Sequence, residues 1–263
     1  FKMMKIFFKY CFTFFIFFPF SIFSQELDYH IEYLTTRNDL SSNYVTKIIS
    51  DESNFKWIAT ENGISKYDGK SIELIKPGEE FPGLLNENIE TLFKDRDNII
   101  WIGTKSGGLS SIDPVSNKSE NYNSIIGIND ENTFRIFSIS QDNQGRIWAG
   151  TFSNGVFVID PVEKKLIDHF RVNESVQTII NDSKGNMWFS SQGKLNVYNL
   201  EKKKIEYYQT KQIGDIIEDK KNNRMLFIYA GGGLNQLDLE TNEISLLRRF
   251  KSIFNPCLAL DYK

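Results

Sequence analysis

Two histidines, a set of recurring aspartates and four tryptophans are the side chains in this sequence best able to carry chemistry, and their spacing decides which chemistry that is. His30 and His169 each stand in an alternating, strand-like stretch. Neither has a second His, Cys or paired carboxylate at the spacing of a metal site or of a nucleophile with its base. Both read as strand-face histidines, and no catalytic residue or metal ligand is assigned. Asp51, Asp95, Asp142, Asp182 and Asp219 lack the alternating acidic pattern of a calcium loop. Gly231-Gly232-Gly233 does not match a dinucleotide fingerprint, and no cofactor is expected. Trp57, Trp101, Trp148 and Trp188 could be platforms for sugar rings or could fill a core. Each follows one of those aspartates by six residues, and a fixed register suits a core residue better than a ligand platform.

The aspartates and tryptophans belong to a repeated unit, which is the sign of stacked modules. Five segments align: IISDESNFKWIAT from Ile48, LFKDRDNIIWIGT from Leu92, ISQDNQGRIWAGT from Ile139, IINDSKGNMWFSS from Ile179 and IIEDKKNNRMLFI from Ile216. In the fifth, Met225 takes the place six residues after Asp219. The aspartates recur at steps of 44, 47, 40 and 37 residues. An Asp followed by polar residues and Gly or Asn makes a hairpin turn, because the carboxylate can bond nearby amides and the Gly accepts a positive φ. That turn joins a first strand to a second one bearing the Trp. A third strand follows in GISKYDG, GLSSIDP, GVFVIDP, GKLNVYN and GLNQLDL, and a fourth in SIELI, SENYN, KLIDHF, KIEYY and EISLL. No helical periodicity interrupts the pattern. Four short strands per unit predict an all-β fold, a β-propeller of four-stranded antiparallel blades. Five blades are nearly complete, and Leu258, three residues before Asp261, starts the first strand of a sixth, an incomplete ring.

The first 24 residues differ from the rest. Lys2, Lys5 and Lys9 precede a Phe-rich apolar run from Tyr10 to Phe20, and Ser24 supplies a small residue before a cleavage point. Residues 1–24 are expected to be a signal peptide, with the propeller region at 25–263; an uncleaved anchor over Ile6 to Phe23 is the alternative. With Cys11 in the leader, Cys257 is the one cysteine left, so no internal disulfide forms. A net charge of −3 with 25% charged residues implies no nucleic-acid partner.

The run from Asn43-Tyr44-Val45 through Asp51, Trp57-Ile58-Ala59-Thr60 and Gly63-Ile64-Ser65-Lys66-Tyr67-Asp68-Gly69 resembles the two-component regulator propeller repeat. It recurs as WIGTKSGGL at Trp101 and WAGTFSNGV at Trp148, while Ser190 and Ser191 replace the Gly-Thr pair in the fourth unit. The resemblance implies the N-terminal, periplasmic sensor region of a hybrid histidine kinase that responds to oligosaccharides from polysaccharide breakdown. It also implies the rest of that sensor chain as a partner, and a second copy as a homodimer. No kinase motif lies within this stretch, so the stretch itself is not expected to be an enzyme. A propeller enzyme of lyase or dehydrogenase type and a protein-binding scaffold are the alternatives. In propeller geometry, ligands meet the loops between strands two and three, which share a face with the segments entering each blade. Those loops hold Glu61 and Asn62, Lys105 and Ser106, Ser153 and Asn154, and Ser191 and Gln192. Their polarity suits hydroxyl recognition.

Overall fold

Each repeat unit forms one sheet whose strands follow in chain order, antiparallel throughout. Blade one comprises β1 (Val45–Ser50), β2 (Lys56–Thr60), β3 (Gly63–Tyr67) and β4 (Ile72–Ile75). Blade two comprises β5 (Ile89–Lys94), β6 (Ile100–Thr104), β7 (Leu109–Ile112) and β8 (Ser119–Asn121). Blade three comprises β9 (Ile136–Gln141), β10 (Ile147–Thr151), β11 (Val156–Asp160) and β12 (Lys165–Phe170). Blade four comprises β13 (Ile179–Asn181), β14 (Met187–Ser191), β15 (Lys194–Asn199) and β16 (Lys204–Gln209). Blade five comprises β17 (Ile213–Asp219), β18 (Arg224–Tyr229), β19 (Gly233–Asp238) and β20 (Ile244–Arg249). The first strands of successive blades touch one another, whereas the fourth strands of blades one, three, four and five are largely exposed and that of blade two is half-buried. This is the propeller arrangement, with first strands innermost. The computed structural model describes residues 33–127, 134–172, 175–191, 193–250 and 258–259. The expected leader at 1–24, His30, Gln192, Cys257 and Asp261 lie outside the described residues.

The Asp turn does more than close a hairpin. Asp51 Oδ1 accepts the Phe55 amide at 3.0 Å, and its Oδ2 accepts the indole N–H of Trp57 at 2.8 Å. The same indole bond measures 2.7 Å from Trp101 to Asp95, 2.8 Å from Trp148 to Asp142 and 2.8 Å from Trp188 to Asp182. Three residues after each Asp, Asn54, Asn98, Gly145 and Gly185 take φ of 66°, 63°, 83° and 87°, as a tight turn requires. The four indoles are at most 3% exposed. Burying a ring of this size contributes about 5 kcal/mol at ~25 cal/mol per Å².

Each indole reaches toward the blade that follows it. Trp57 packs with Phe81, Ile89 and Leu92, and Trp101 with Ile136, Ile139 and Ile147. Trp148 packs with Val176, Ile179 and Met187, and Trp188 with Ile213, Ile216 and Met225. The aliphatic residue three positions before each Asp is therefore buried in blades two to five. Ile48, its counterpart in blade one, is 57% exposed, because no blade precedes it among the described residues. Leu258 repeats the inner contact: its amide donates to Asp215 of β17 at 2.8 Å, as the Ile179 amide donates to Ser138 of β9 at 2.9 Å.

Blade five departs from the expected register. Its turn carries a one-residue insertion, formed by the 3-10 turn Lys220–Asn222, and the left-handed position moves to Asn223. Strand pairing sets Met225 opposite Glu218 and Leu226 opposite Ile217, so Leu226, not Met225, occupies the Trp place. With no indole available, Asp219 Oδ2 accepts Arg224 Nε at 2.8 Å and Asn222 Nδ2 at 2.7 Å. Burial alone would raise the Asp219 pKa, but these bonds outweigh it and hold the carboxyl below its usual range.

A polar tie also joins neighbouring blades at their outer edges. Glu120 of β8 meets Lys164 of the β11–β12 turn at 2.7 Å and Lys118 at 2.9 Å. The Lys164 bond, then the Lys118 bond, hold its carboxyl down to about 2 from an ordinary 4.5.

Three outcomes follow from these contacts. Asp95→Ala should cost about 3 kcal/mol in urea unfolding, because a buried indole donor and two turn amides lose their acceptor. Trp101→Phe should add far less in the Asp95→Ala background than alone, a coupling that a double-mutant cycle measures. For Glu120 the folded pKa is depressed, so its stabilisation is present above the ordinary carboxyl range and is lost as pH falls toward about 2. Glu120→Gln should flatten the acid limb of the stability curve between those values, by less than about 1 kcal/mol for so accessible a pair.

Candidate functional site

The loops between strands two and three are shaped by the Thr that ends strand two. Thr60 Oγ1 donates to the Gly63 carbonyl at 3.0 Å and accepts the Asn62 amide at 3.0 Å. Thr104 bonds the Gly108 carbonyl and the Gly107 amide, and Thr151 bonds the Gly155 carbonyl and the Asn154 amide, in the same way. Each loop then meets the segment that enters a blade. Ser42 Oγ donates to Glu61 at 3.1 Å, the Lys105 amide donates to the Asn88 carbonyl at 2.9 Å, and Asn86 Nδ2 donates to Ser106 Oγ at 2.9 Å. The Phe152 amide donates to the Arg135 carbonyl at 3.0 Å, and the Ala230 amide to the Gln212 carbonyl at 3.0 Å. Loops and entry segments thus share one face.

On that face, Glu61, Asn62, Lys105, Ser153 and Asn154 are exposed, Ser106 is half-buried and Ser191 is buried. Ser191 Oγ accepts Asn196 Nδ2 at 2.8 Å. His169 is occupied structurally: its Nε2 donates to the Asn154 carbonyl at 2.7 Å, and its ring stacks on Phe157 with centroids 3.9 Å apart. Among the described residues no three His, Cys, Asp or Glu side chains gather as a metal site would need.

Sequence reasoning passed over the seam between blades four and five. In blades two and three the Gly before the Thr is packed by the next blade. A Cβ on Gly103 would stand 2.7 Å from Ile136 Cγ2, and one on Gly150 would stand 2.8 Å from Val176 Cγ1. Blade four has Ser190 there. Around it opens a cavity of about 500 Å³ lined by Ser175, Gln177, Ser190, Ser191, Gly193, Gln212 and Ile213. Ser191 alone of these was among the expected loop residues. The readable signal was the Ser-Ser pair itself, which looks like drift until the neighbouring blade is in view. A second cavity of about 520 Å³, which also takes in Gln212, runs beside Tyr229, Asn235 and Phe250 of blade five.

Residues 83–106 and 131–153 match the family model described as the two component regulator propeller. Both segments cover the same stretch of structure, from the entry segment through the Asp turn to the Trp strand and the loop beyond. Blades two and three, which hold these segments, are thus similar to that repeat. Among solved structures, the chain is similar to the extracellular domain of BT4673 from B. thetaiotaomicron, described once as a putative one component and once as a putative hybrid two component system. Those two structures are 16% identical with TM-scores of 0.66 and 0.64, over 83% and 81% of this chain and 33% and 32% of theirs. The chain thus spans about a third of their length. A chain of the mitotic checkpoint complex is 13% identical with a TM-score of 0.63, over 80% of this chain and 65% of its own. At such identities the likeness is one of fold. No curated protein sequence matches.

Gly150→Ala should lower stability by about 1–3 kcal/mol, since the new methyl meets Val176 in a packed seam. Ser190→Gly, at the equivalent place beside the cavity, should cost less than about 1 kcal/mol. Equal losses in thermal unfolding would refute the difference in packing between the two seams.

Proposed function

We propose that this propeller is the extracytoplasmic, ligand-sensing region of a two-component signal transduction protein, and that it binds rather than catalyses. The observation that carries the reading is the twice-matched regulator repeat, on a fold shared with the extracellular domain of BT4673. The leader expected at residues 1–24 fits export to the periplasm, and the parent protein would be anchored in the inner membrane. The ligand we assign is an oligosaccharide released from a polysaccharide. Support comes from the loop face, where Glu61, Asn62, Lys105, Ser106, Ser153 and Asn154 offer donors and acceptors suited to sugar hydroxyls. Binding there would bias the arrangement of the signalling chain and of a second copy paired with it.

The test is an oligosaccharide array probed with the full-length protein, run beside a pull-down of envelope proteins. Retention of a defined oligosaccharide class is the expected result, with retention weakened in the Ser153→Ala, Asn154→Ala double variant. Capture of an envelope protein with no oligosaccharide retained would replace sensing with scaffolding.

A further inference from the structure

We infer that the cavity at the seam of blades four and five is the subsite that grips a neutral, polyhydroxylated ligand, with Ser190 as a specificity-determining residue. The inference rests on the sensing role proposed above and narrows it to one place in the fold.

Three observations carry it. The first is a departure from the packing rule. The residue six positions before each Asp, which is Ile136 in blade three and Val176 in blade four, closes on a glycine of the preceding blade with no room for a methyl. At the next seam the corresponding residue is Ile213, its partner is Ser190, and about 500 Å³ remains between the loop face and the two blades. That volume falls within the usual size range of small-molecule sites, ~300–1,000 Å³.

The second observation is polar groups without partners. The hydroxyls of Ser190 and Ser175 are buried, have no hydrogen-bond partner among the described residues, and belong to residues that line this one cavity; their oxygens are closed off from it, so a turn about χ1 would bring either to a ligand. Ser190 is 4% exposed. Burying a hydroxyl unpaired is unfavourable, and a ligand that supplied the missing bond would remove that cost.

The third is the character of the lining. Its lining residues carry three hydroxyls, the carboxamides of Gln177 and Gln212, one glycine and one aliphatic wall, Ile213, and among the described residues no Lys, Arg, Asp or Glu. Ser191 already accepts a bond from Asn196, which leaves its own hydrogen to donate. Mixed donors and acceptors without net charge match the hydroxyls of a neutral sugar or polyol, which both give and take hydrogen bonds. An anionic sugar would lose its hydration shell here with no cation to replace it. The adjoining cavity that shares Gln212 differs in kind: Lys211 and Arg249 line it, and Lys211 Nζ lies 5.9 Å from the Tyr229 ring centroid, so the uncharged lining is confined to the cavity at Ser190.

The experiment is a calorimetric titration of the full-length protein with maltose, cellobiose, xylobiose and mannobiose, with digalacturonate as the charged control. At least one neutral disaccharide should bind, at least fivefold more weakly to Ser190→Ala and undetectably to Ser190→Leu, which fills the cavity. Digalacturonate should bind no better than any of them. A ligand-free readout runs in parallel: removing an unpaired hydroxyl should leave the Tm of Ser190→Ala unchanged or raised. If the wild type binds a disaccharide and both variants bind it equally well, the subsite is elsewhere and this inference fails while the sensing role stands. If the wild type binds no saccharide in the titration or on an array, both fail together. A lowered Tm for Ser190→Ala would show the hydroxyl to be paired in the free protein and would also overturn the inference.

Discussion

A buried carboxylate that accepts an indole N–H is the interaction on which this propeller depends. Both groups pay heavily for leaving water unless they find partners, and here each is the other's partner at 2.7–2.8 Å. The two carboxylate oxygens divide the work: Oδ1 collects the amides that fold the turn, and Oδ2 fixes the ring. Turn geometry and ring placement are thereby one constraint. The ring then lies over the start of the next blade, where Ile89, Ile136, Val176 and Ile213 are buried in turn. The hydrophobic seams follow from that single anchor.

Blade five shows what the constraint requires when the indole is missing. The carboxylate stays, still buried, and it is a guanidinium together with a carboxamide that satisfies Oδ2. The donor's identity changes while the need for a donor does not, as expected when an unpaired buried acid is the costly state. Leu226 meanwhile keeps the apolar content of the Trp position without its polar handle.

Much of this was legible in the residues because the signal is periodic. The aspartates, tryptophans and alternating third strands of five units locate every sheet, and the structure places four strands where each unit predicts them. The register of unit five was misread because Asn222 and Asn223 could each end the turn, so counting six residues from Asp219 pointed to Met225; only the strand pairing shows the inserted residue. The indole bond was hidden for another reason: a sequence shows that Asp and Trp recur together, not that their side chains meet. The cavity at Ser190 was less readable still. Whether a glycine-to-serine change is drift or space depends on a residue more than twenty positions away, in a different blade. Local pattern specifies a blade, whereas the seams are written in pairs of blades.

The forward reach of every indole gives the molecule a direction. Each tryptophan waits for apolar cover that lies later in the chain, so a blade leaving the ribosome or an export channel has its anchor in place before its lid exists. Such a polypeptide consolidates in order from its amino end, always with one greasy surface unfinished at the growing tip. Were the chain to cross a membrane unfolded, that sequence of events would confine the adhesive stage to one blade at a time, and holding chaperones would need to shield one seam rather than a whole domain.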